Sequence, residues 1–192
     1  MKRIAVLGHH AISSGDFSLN DLAGGAGRMD ILCRCVSASL FLSHGMRRDV
    51  EVYLVMLGPP RPPVTLRFSG EQIRSLNPDE RSTGSLIKKA LAIPRGDEFR
   101  ESTPGVAVRR GGLARLLAEH RFSVLDETGA DLRKAAELPE NVLLSDHLNF
   151  TEEEAELVSG CRSFSVGPLS LHANCAISLL LNEHDRRNAG WT

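Results

Sequence analysis

No apolar run in the 192-residue sequence reaches the about 18 residues that a membrane-spanning helix requires, which excludes a helical membrane anchor within it. Cysteine is scarce. Cys33, Cys35, Cys161 and Cys175 are the four present, and no two show the spacing of zinc ligands, so no metal site is expected. Cys33 and Cys35 are two apart on a predicted helix and face different directions. No secretory leader is visible ahead of them, so four reduced thiols in a cytoplasmic protein are expected. Internal repeats and low-complexity tracts are also missing, which excludes solenoids and disordered arrays. An excess of either charge is missing too: the net charge of −1 does not by itself predict a polyanionic partner.

The charge is unevenly placed, however. Residues 1–115 hold 17 Lys and Arg against 11 Asp and Glu, and residues 116–192 hold 6 against 13. A basic amino-terminal part suits a nucleic-acid surface there, unless folding intermixes the charges. At this length a single compact domain over residues 1–192 is expected, burying about 70% of the surface its unfolded chain exposes without help from disulfides.

Apolar periodicity lays out alternating strands and helices. Strands are expected at Lys2–Gly8, Val50–Leu57, Val64–Phe68 (a candidate edge), Gly105–Val108, Phe122–Asp126, Asn141–Ser145 and Cys161–Val166. An amphipathic helix is expected over Arg28–His44, ended by Gly45 in a left-handed cap. Asn77-Pro78-Asp79-Glu80 opens a second helix that stops before Pro94, with Asn77 as its cap. Further helices are expected at Leu113–His120, after the Thr151–Glu154 capping box, and over Asn174–Arg187. Arg95–Thr103 reads as a charged loop, Thr128-Gly129 as a turn whose chain returns over Ala130–Arg133, and Gly58–Pro63 as a stiff turn with four prolines. The alternation predicts an α/β fold, with a mainly parallel sheet flanked by helices on both faces.

In such folds functional groups gather beyond the carboxyl ends of strands. Four stretches qualify. His9-His10 follows the first strand without a third metal ligand in view. The long loop Ala11–Gly27 contains GGAG, a partial dinucleotide fingerprint whose third glycine is replaced by Asp30; this keeps an unrelated nucleotide-binding enzyme open as a weak reading. Arg109-Arg110-Gly111-Gly112 can present guanidinium and backbone N–H groups to an anion, or be a plain strand-to-helix turn. Asp146 and His147 tip the strand at Asn141–Ser145.

The segments GDFSLNDLAGGAGRMDILCR (15–34), FLSHGMRRDVEVYL (41–54), NPDERSTGSLIKKAL (77–91), GVAVRRGGL (105–113), LLSDH (143–147), SVGPLSLHANC (165–175) and NEHDRR (182–187) together resemble the archaeal tRNA pseudouridine N1-methyltransferase family of the SPOUT class. The resemblance keeps its order over nearly the whole chain. It implies a SPOUT fold with a trefoil knot at about residues 122–187, a homodimer, S-adenosylmethionine as methyl donor and RNA as partner. The implied acceptor is N1 of pseudouridine, at position 54 of the tRNA T-loop in archaeal members. It implies a donor site built from Leu125, Leu144, Ser145, Val166, Gly167, Pro168, Leu171 and Cys175. Proton acceptance or base orientation falls to Asp146 or Asp16, with His147 and His172 as alternatives. Arg28, Arg34, Arg47, Arg48, Arg109 and Arg110 are candidates for RNA phosphates. Ser145 stands where many members carry glycine, and Cys175 is displaced by about one residue from the usual cysteine of the knot helix; both departures point toward the bacterial branch. A protein of the same fold that binds donor or RNA without catalysis is the alternative.

Overall fold

The structure is a computed structural model and describes residues 1–191. In chain order the elements are β1 (Lys2–Ile12), α1 (Met29–Leu40), β2 (Phe41–Leu42), β3 (Gly45–Met46), β4 (Val50–Gly58), β5 (Val64–Ser69), α2 (Glu80–Ala92) and β6 (Arg100–Thr103). They continue with β7 (Val106–Arg110), α3 (Leu113–Glu119), β8 (Ser123–Asp131), β9 (Asn141–Ser145), α4 (Glu152–Val158), β10 (Ser163–Ser165) and α5 (Ala173–Asn188). Eight strands form one sheet in the order β10-β8-β9-β1-β4-β5-β7-β6. From β10 to β4 the neighbours are parallel, and from β4 to β6 they are antiparallel.

β1 shows why the sheet needs cover on both faces. Its side chains alternate, sending Ile4 and Val6 to one face and Ala5 and Leu7 to the other. None of the four is more than 1% exposed. On the first face α1 packs between α2 and α5, contributing Met29, Leu32, Val36 and Leu40. On the second, Leu113 and Leu116 of α3 meet Tyr53, Phe122 and Leu143, with Phe150 and Val158 alongside. A leucine as fully enclosed as Leu32 contributes about 1.5–3 kcal/mol by leaving water.

Several local expectations give way to tertiary pairing. β8 does not turn back at Thr128-Gly129 but runs on to Asp131, because β10 lies beside it and pairs Phe164 with Ala130 and Ser165 with Asp131. The approach is close: a Cβ on Gly129 would stand 2.7 Å from the Phe164 backbone. β5 is interior rather than an edge, and the segment read as a charged loop supplies the true edge strand, β6. α1 ends at Leu40, and Gly45 sits in the small hairpin β2–β3 instead of capping a helix. α2 is capped by Asp79, whose carboxylate accepts from the Ser82 N–H at 2.7 Å, and not by Asn77. The Thr151–Glu154 capping box forms as expected. No helix among the described residues is long and apolar enough to cross a membrane.

Candidate functional site

β8 pairs with β9 only at Ser123 and Val124 and then parts from it. Its register against β10 slips in the same place, from Ser163 opposite Val124 to Phe164 opposite Ala130. Leu125, Asp126 and Glu127 are therefore released from the ladders, as at a bulge. Between this arc, the tip of β9 and the end of β10 lies an open cleft of about 570 Å³. Leu125, Leu144, Ser145, Val166, Gly167 and Leu171 line it, together with Asp146 and His147. The small residues Ala173 and Ala176 of α5 form part of the wall. Ser165 shapes the next turn: its Oγ donates to the Gly167 carbonyl at 2.5 Å and accepts from the Gly167 N–H at 3.2 Å.

Pro168 and Cys175 come next to the cleft in sequence but do not enter its lining. Pro168 is exposed beside Gly167, and Cys175 is exposed in the first turn of α5. Asp16 is exposed on the loop after β1, also outside the lining. His172 lines the cleft and caps α5 without a side-chain hydrogen bond.

Asp146 is enclosed, with 1% of its side chain exposed. Its Oδ2 accepts the His9 backbone N–H at 2.9 Å, and its Oδ1 accepts the Leu148 N–H at 3.0 Å. The Oδ1 is also 2.9 Å from His9 Nδ1, while His9 Nε2 stands 2.9 Å from Glu154 Oε2. Both ring nitrogens thus face carboxylates, the arrangement of an imidazolium donating twice. Burial lowers the His9 pKa, but the hydrogen bonds to Glu154 and Asp146 and their charges outweigh it, leaving the net above the usual histidine value. Burial raises the Glu154 pKa; the Thr151 N–H and His9 outweigh it, holding this carboxyl below its usual range. One chain of bonds therefore ties the tips of β1 and β9 to the start of α4. The adjacent histidines and the T-x-x-E box were visible in the sequence, but nothing local joins residues 145 positions apart. His147 extends the cluster into the cleft, with its Nδ1 3.4 Å from Asp146 Oδ2.

The arginine expectations need correction. Arg109 is 3% exposed and clasps Glu119 through two 2.6 Å bonds, so it cannot reach a phosphate. Arg28 and Arg34 both hold Asp30, and Arg34 also holds Glu80. Arg47 is largely covered and bidentate to Asp185, and Arg48 donates to the Gly70 carbonyl. Arg48 and Arg110 are both exposed without an ion pair among the described residues, but Arg48 is engaged by backbone carbonyls, and Arg110 alone of the six donates no side-chain hydrogen bond there. The GGAG loop is closed as a phosphate cradle as well. The Gly24 and Gly25 N–H groups already donate to the Asp21 carboxylate, at 3.0 and 2.7 Å. Among the described residues no group of His, Cys, Asp and Glu is placed to hold a metal.

A family model described as "Putative SAM-dependent RNA methyltransferase" matches residues 1–189. The chain is 59% identical to the tRNA (pseudouridine(54)-N(1))-methyltransferase of Methanocorpusculum labreanum, over 97% of this chain and 98% of the relative. It is 51% identical to the enzyme of the same name from Methanospirillum hungatei, with both chains covered in full. The fold is similar to that of Archaeoglobus fulgidus Nep1, crystallised with S-adenosylhomocysteine, with a TM-score of 0.69 at 17% identity over 98% of this chain and 100% of that one. These relatives are archaeal, whereas Ser145 and Cys175 had pointed toward the bacterial branch. On the family match and the full-length identity, the chain belongs to the tRNA (pseudouridine(54)-N(1))-methyltransferase family of SAM-dependent RNA methyltransferases.

Proposed function

We propose that this chain transfers the methyl group of S-adenosylmethionine to N1 of pseudouridine 54 in tRNA, with the donor held in the cleft between β8, β9 and β10. The carrying observation is the cleft itself, formed where two ladders part, in a chain of this family. Its lining fits the donor. Leu125, Leu144 and Leu171 offer apolar walls to an adenine ring, and the unpaired backbone of the β8 arc can read its edge. A Cβ placed on Gly167 would meet no protein atom within 4 Å, so the space beside this backbone is open to a ligand. Asp126 and Glu127 put negative charge in the wall, which favours a sulfonium cation over its neutral thioether product.

The donor brings an activated methyl group; the protein contributes position, a dry wall and a route for a proton. In-line transfer needs N1 about 3–3.5 Å from the methyl carbon. The N1 proton goes to the Asp146–His147 pair: His147 faces the cleft, and Asp146 is held in place by His9 and the Leu148 N–H. Asp16, exposed beyond β1 and outside the cleft lining, takes no part in this route. The 146–162 segment crosses β8 on the α3 side and α5 returns on the α1 side, which supports a trefoil knot here. Leu169 and Leu179, exposed by 73% and 41%, support a second copy as their cover, giving a cytoplasmic homodimer.

The test is incubation of the protein with labelled donor and T-arm RNA carrying either pseudouridine or uridine at the target position. Label in the pseudouridine RNA alone is expected. Donor binding without transfer to either RNA would replace the enzyme by a binding protein. Donor affinity unchanged by Leu144→Glu would remove the donor from this cleft. Sedimentation at micromolar concentration tests the dimer.

A further inference from the structure

We infer that Arg61, Arg95 and Arg110 form a phosphate clamp for the RNA backbone, set beside the donor cleft on the same edge of the sheet. The inference rests on the proposed RNA methyltransferase reading. Sequence distance hides this group, because its members come from two connectors and the last residue of β7. Hydrogen bonds hold Arg61 and Arg95 at Ser13 and Arg110 beside them. The Arg61 N–H donates to Ser13 Oγ at 2.9 Å, and Arg95 Nη2 donates to the Ser13 carbonyl at 2.9 Å. The Arg110 N–H donates to the Gly96 carbonyl at 2.8 Å, which fixes it beside Arg95. Arg95 is further anchored by a 3.0 Å bond from Nη1 to the Leu91 carbonyl.

No acidic side chain pairs with any of the three among the described residues. The charges acting on Arg95 are those of Arg61 and Arg110, so like charges are gathered without a counter-ion. Most other arginines named as RNA contacts here are neutralised within the fold. Holding three guanidinium groups together costs free energy unless an anion visits them. Arg61 and Arg110 are exposed and donate no side-chain hydrogen bond within the described residues, leaving their forks free for phosphate oxygens. The turn that carries Arg61 contains four prolines, which limits its freedom.

Topology gives the relation to the cleft. β7 runs in the same direction as β4, β1 and β9, since both steps from β4 through β5 to β7 are antiparallel. All four strands therefore deliver their carboxyl ends to one edge. Ser145, Leu7, Val55, Thr65 and Arg109 lie in line across the sheet. Arg110 is thus four strand spacings from the cleft wall, about 19 Å, and the β4 connector with Arg61 about 10 Å. A base in the cleft would leave its flanking backbone running along this edge toward the clamp.

The experiment compares wild type, Arg61→Gln/Arg110→Gln and Arg121→Gln. Arg121 precedes β8 and lies on the opposite edge, so it serves as a control for positive charge lost away from the clamp. Binding of a T-arm hairpin containing pseudouridine is measured from 50 to 300 mM salt, with donor affinity and methyl transfer measured in parallel. Each lost phosphate contact lowers the slope of log K against log salt by about 0.7–0.9, hence about 1.4–1.8 for the double variant. The double variant is expected to show that loss, a raised KM for RNA and an unchanged donor affinity. Arg121→Gln is expected to match wild type. Equal slopes in the double variant and wild type would overturn the clamp while leaving the methyltransferase reading standing. A wild-type protein that neither binds nor methylates this RNA would overturn that reading and the clamp with it.

Discussion

Replacing Arg109 by Met removes a buried cation that the fold holds against Glu119. As one of two arginines before a glycine pair it resembles a phosphate contact, yet it is buried and paired. Its guanidinium makes two 2.6 Å bonds to Glu119 and lies 4.2 Å from the centre of the Phe99 ring. Breaking a fully buried pair costs about 3–5 kcal/mol. Glu119, however, is about one-third exposed and keeps Arg115 at 3.1 Å, so water and a second cation take over its charge. That relief lowers the pair contribution to about 1.5–3 kcal/mol, and the lost stacking on Phe99 adds about 0.5–1. Arg109→Met is therefore expected to cost about 2–4 kcal/mol, which for a chain of this size lowers Tm by about 5–15 °C. Arg109 is also the largest influence on Glu119, holding its carboxyl below the usual value near 4.5, with burial opposing and Arg115 assisting. A depressed carboxyl contributes stability above its unfolded pKa and loses it as pH falls through the folded one. The difference between wild type and variant should therefore shrink below about pH 4.5. Calorimetry across pH 3–8, with RNA titration at 25 °C, checks both parts. An unchanged Tm combined with weakened RNA binding would refute the reasoning and return Arg109 to the RNA surface.

Three further outcomes are expected. Gly167→Val should leave the fold intact, since no atom lies within 4 Å of the added Cβ. Crowding the cleft by about 1–3 kcal/mol should weaken donor binding roughly five- to 150-fold; wild-type affinity by titration calorimetry would move the donor elsewhere. His9→Gln should remove a pH-dependent part of stability. The raised His9 pKa means this part is complete below about 6.5 in the wild type and is lost as pH rises through the folded value. Urea unfolding from pH 5 to 9 should show that decline in the wild type and not in the variant, and parallel curves would contradict it. Brief alkylation of the native protein should label exposed Cys175 before Cys33 and Cys35, because burial raises both of those thiols, Cys33 to about 12. Mass spectrometry showing early adducts on Cys33 would indicate that α1 opens.

The strands with continuous apolar runs were legible because burial on both faces leaves that mark: Val50–Leu57 and Asn141–Ser145 appear as expected within a residue or so. The capping box at Thr151 was legible because both partners lie within one turn. What stayed hidden depends on partners far away in the chain. β8 reads as a short strand and turn because its extension is specified by β10, some 35 residues later. β6 looks like a loop because Arg100 to Thr103 has an edge strand's charge and no alternating apolar face. At the site, Leu125, Leu144, Val166 and Gly167 could be grouped only through family resemblance, and the structure brings them to one cleft. His9 and Glu154 were not joined at all, because an Asp-His-Glu chain across three elements has no spacing signature.

The charge asymmetry of the sequence shows how folding redistributes a bulk property. A surplus of arginine in residues 1–115 suggested an RNA-binding face, but folding spends much of it internally. Asp30 takes Arg28 and Arg34, Asp185 reaches over from α5 to Arg47, and Glu119 takes Arg109 and Arg115. Several of these pairs are partly exposed, where each contributes about 0–1 kcal/mol. Their larger effect is subtractive, since a carboxylate beside an arginine weakens its pull on a polyanion. The positive potential available to RNA is carried by arginines without carboxylate neighbours. The fold groups Arg61, Arg95 and Arg110 where β1, β4 and β7 end, on the edge that also opens the cleft. Contiguity of unpaired charge with the reaction site, rather than the total in either half of the chain, is what can hold a nucleic acid in register for methyl transfer.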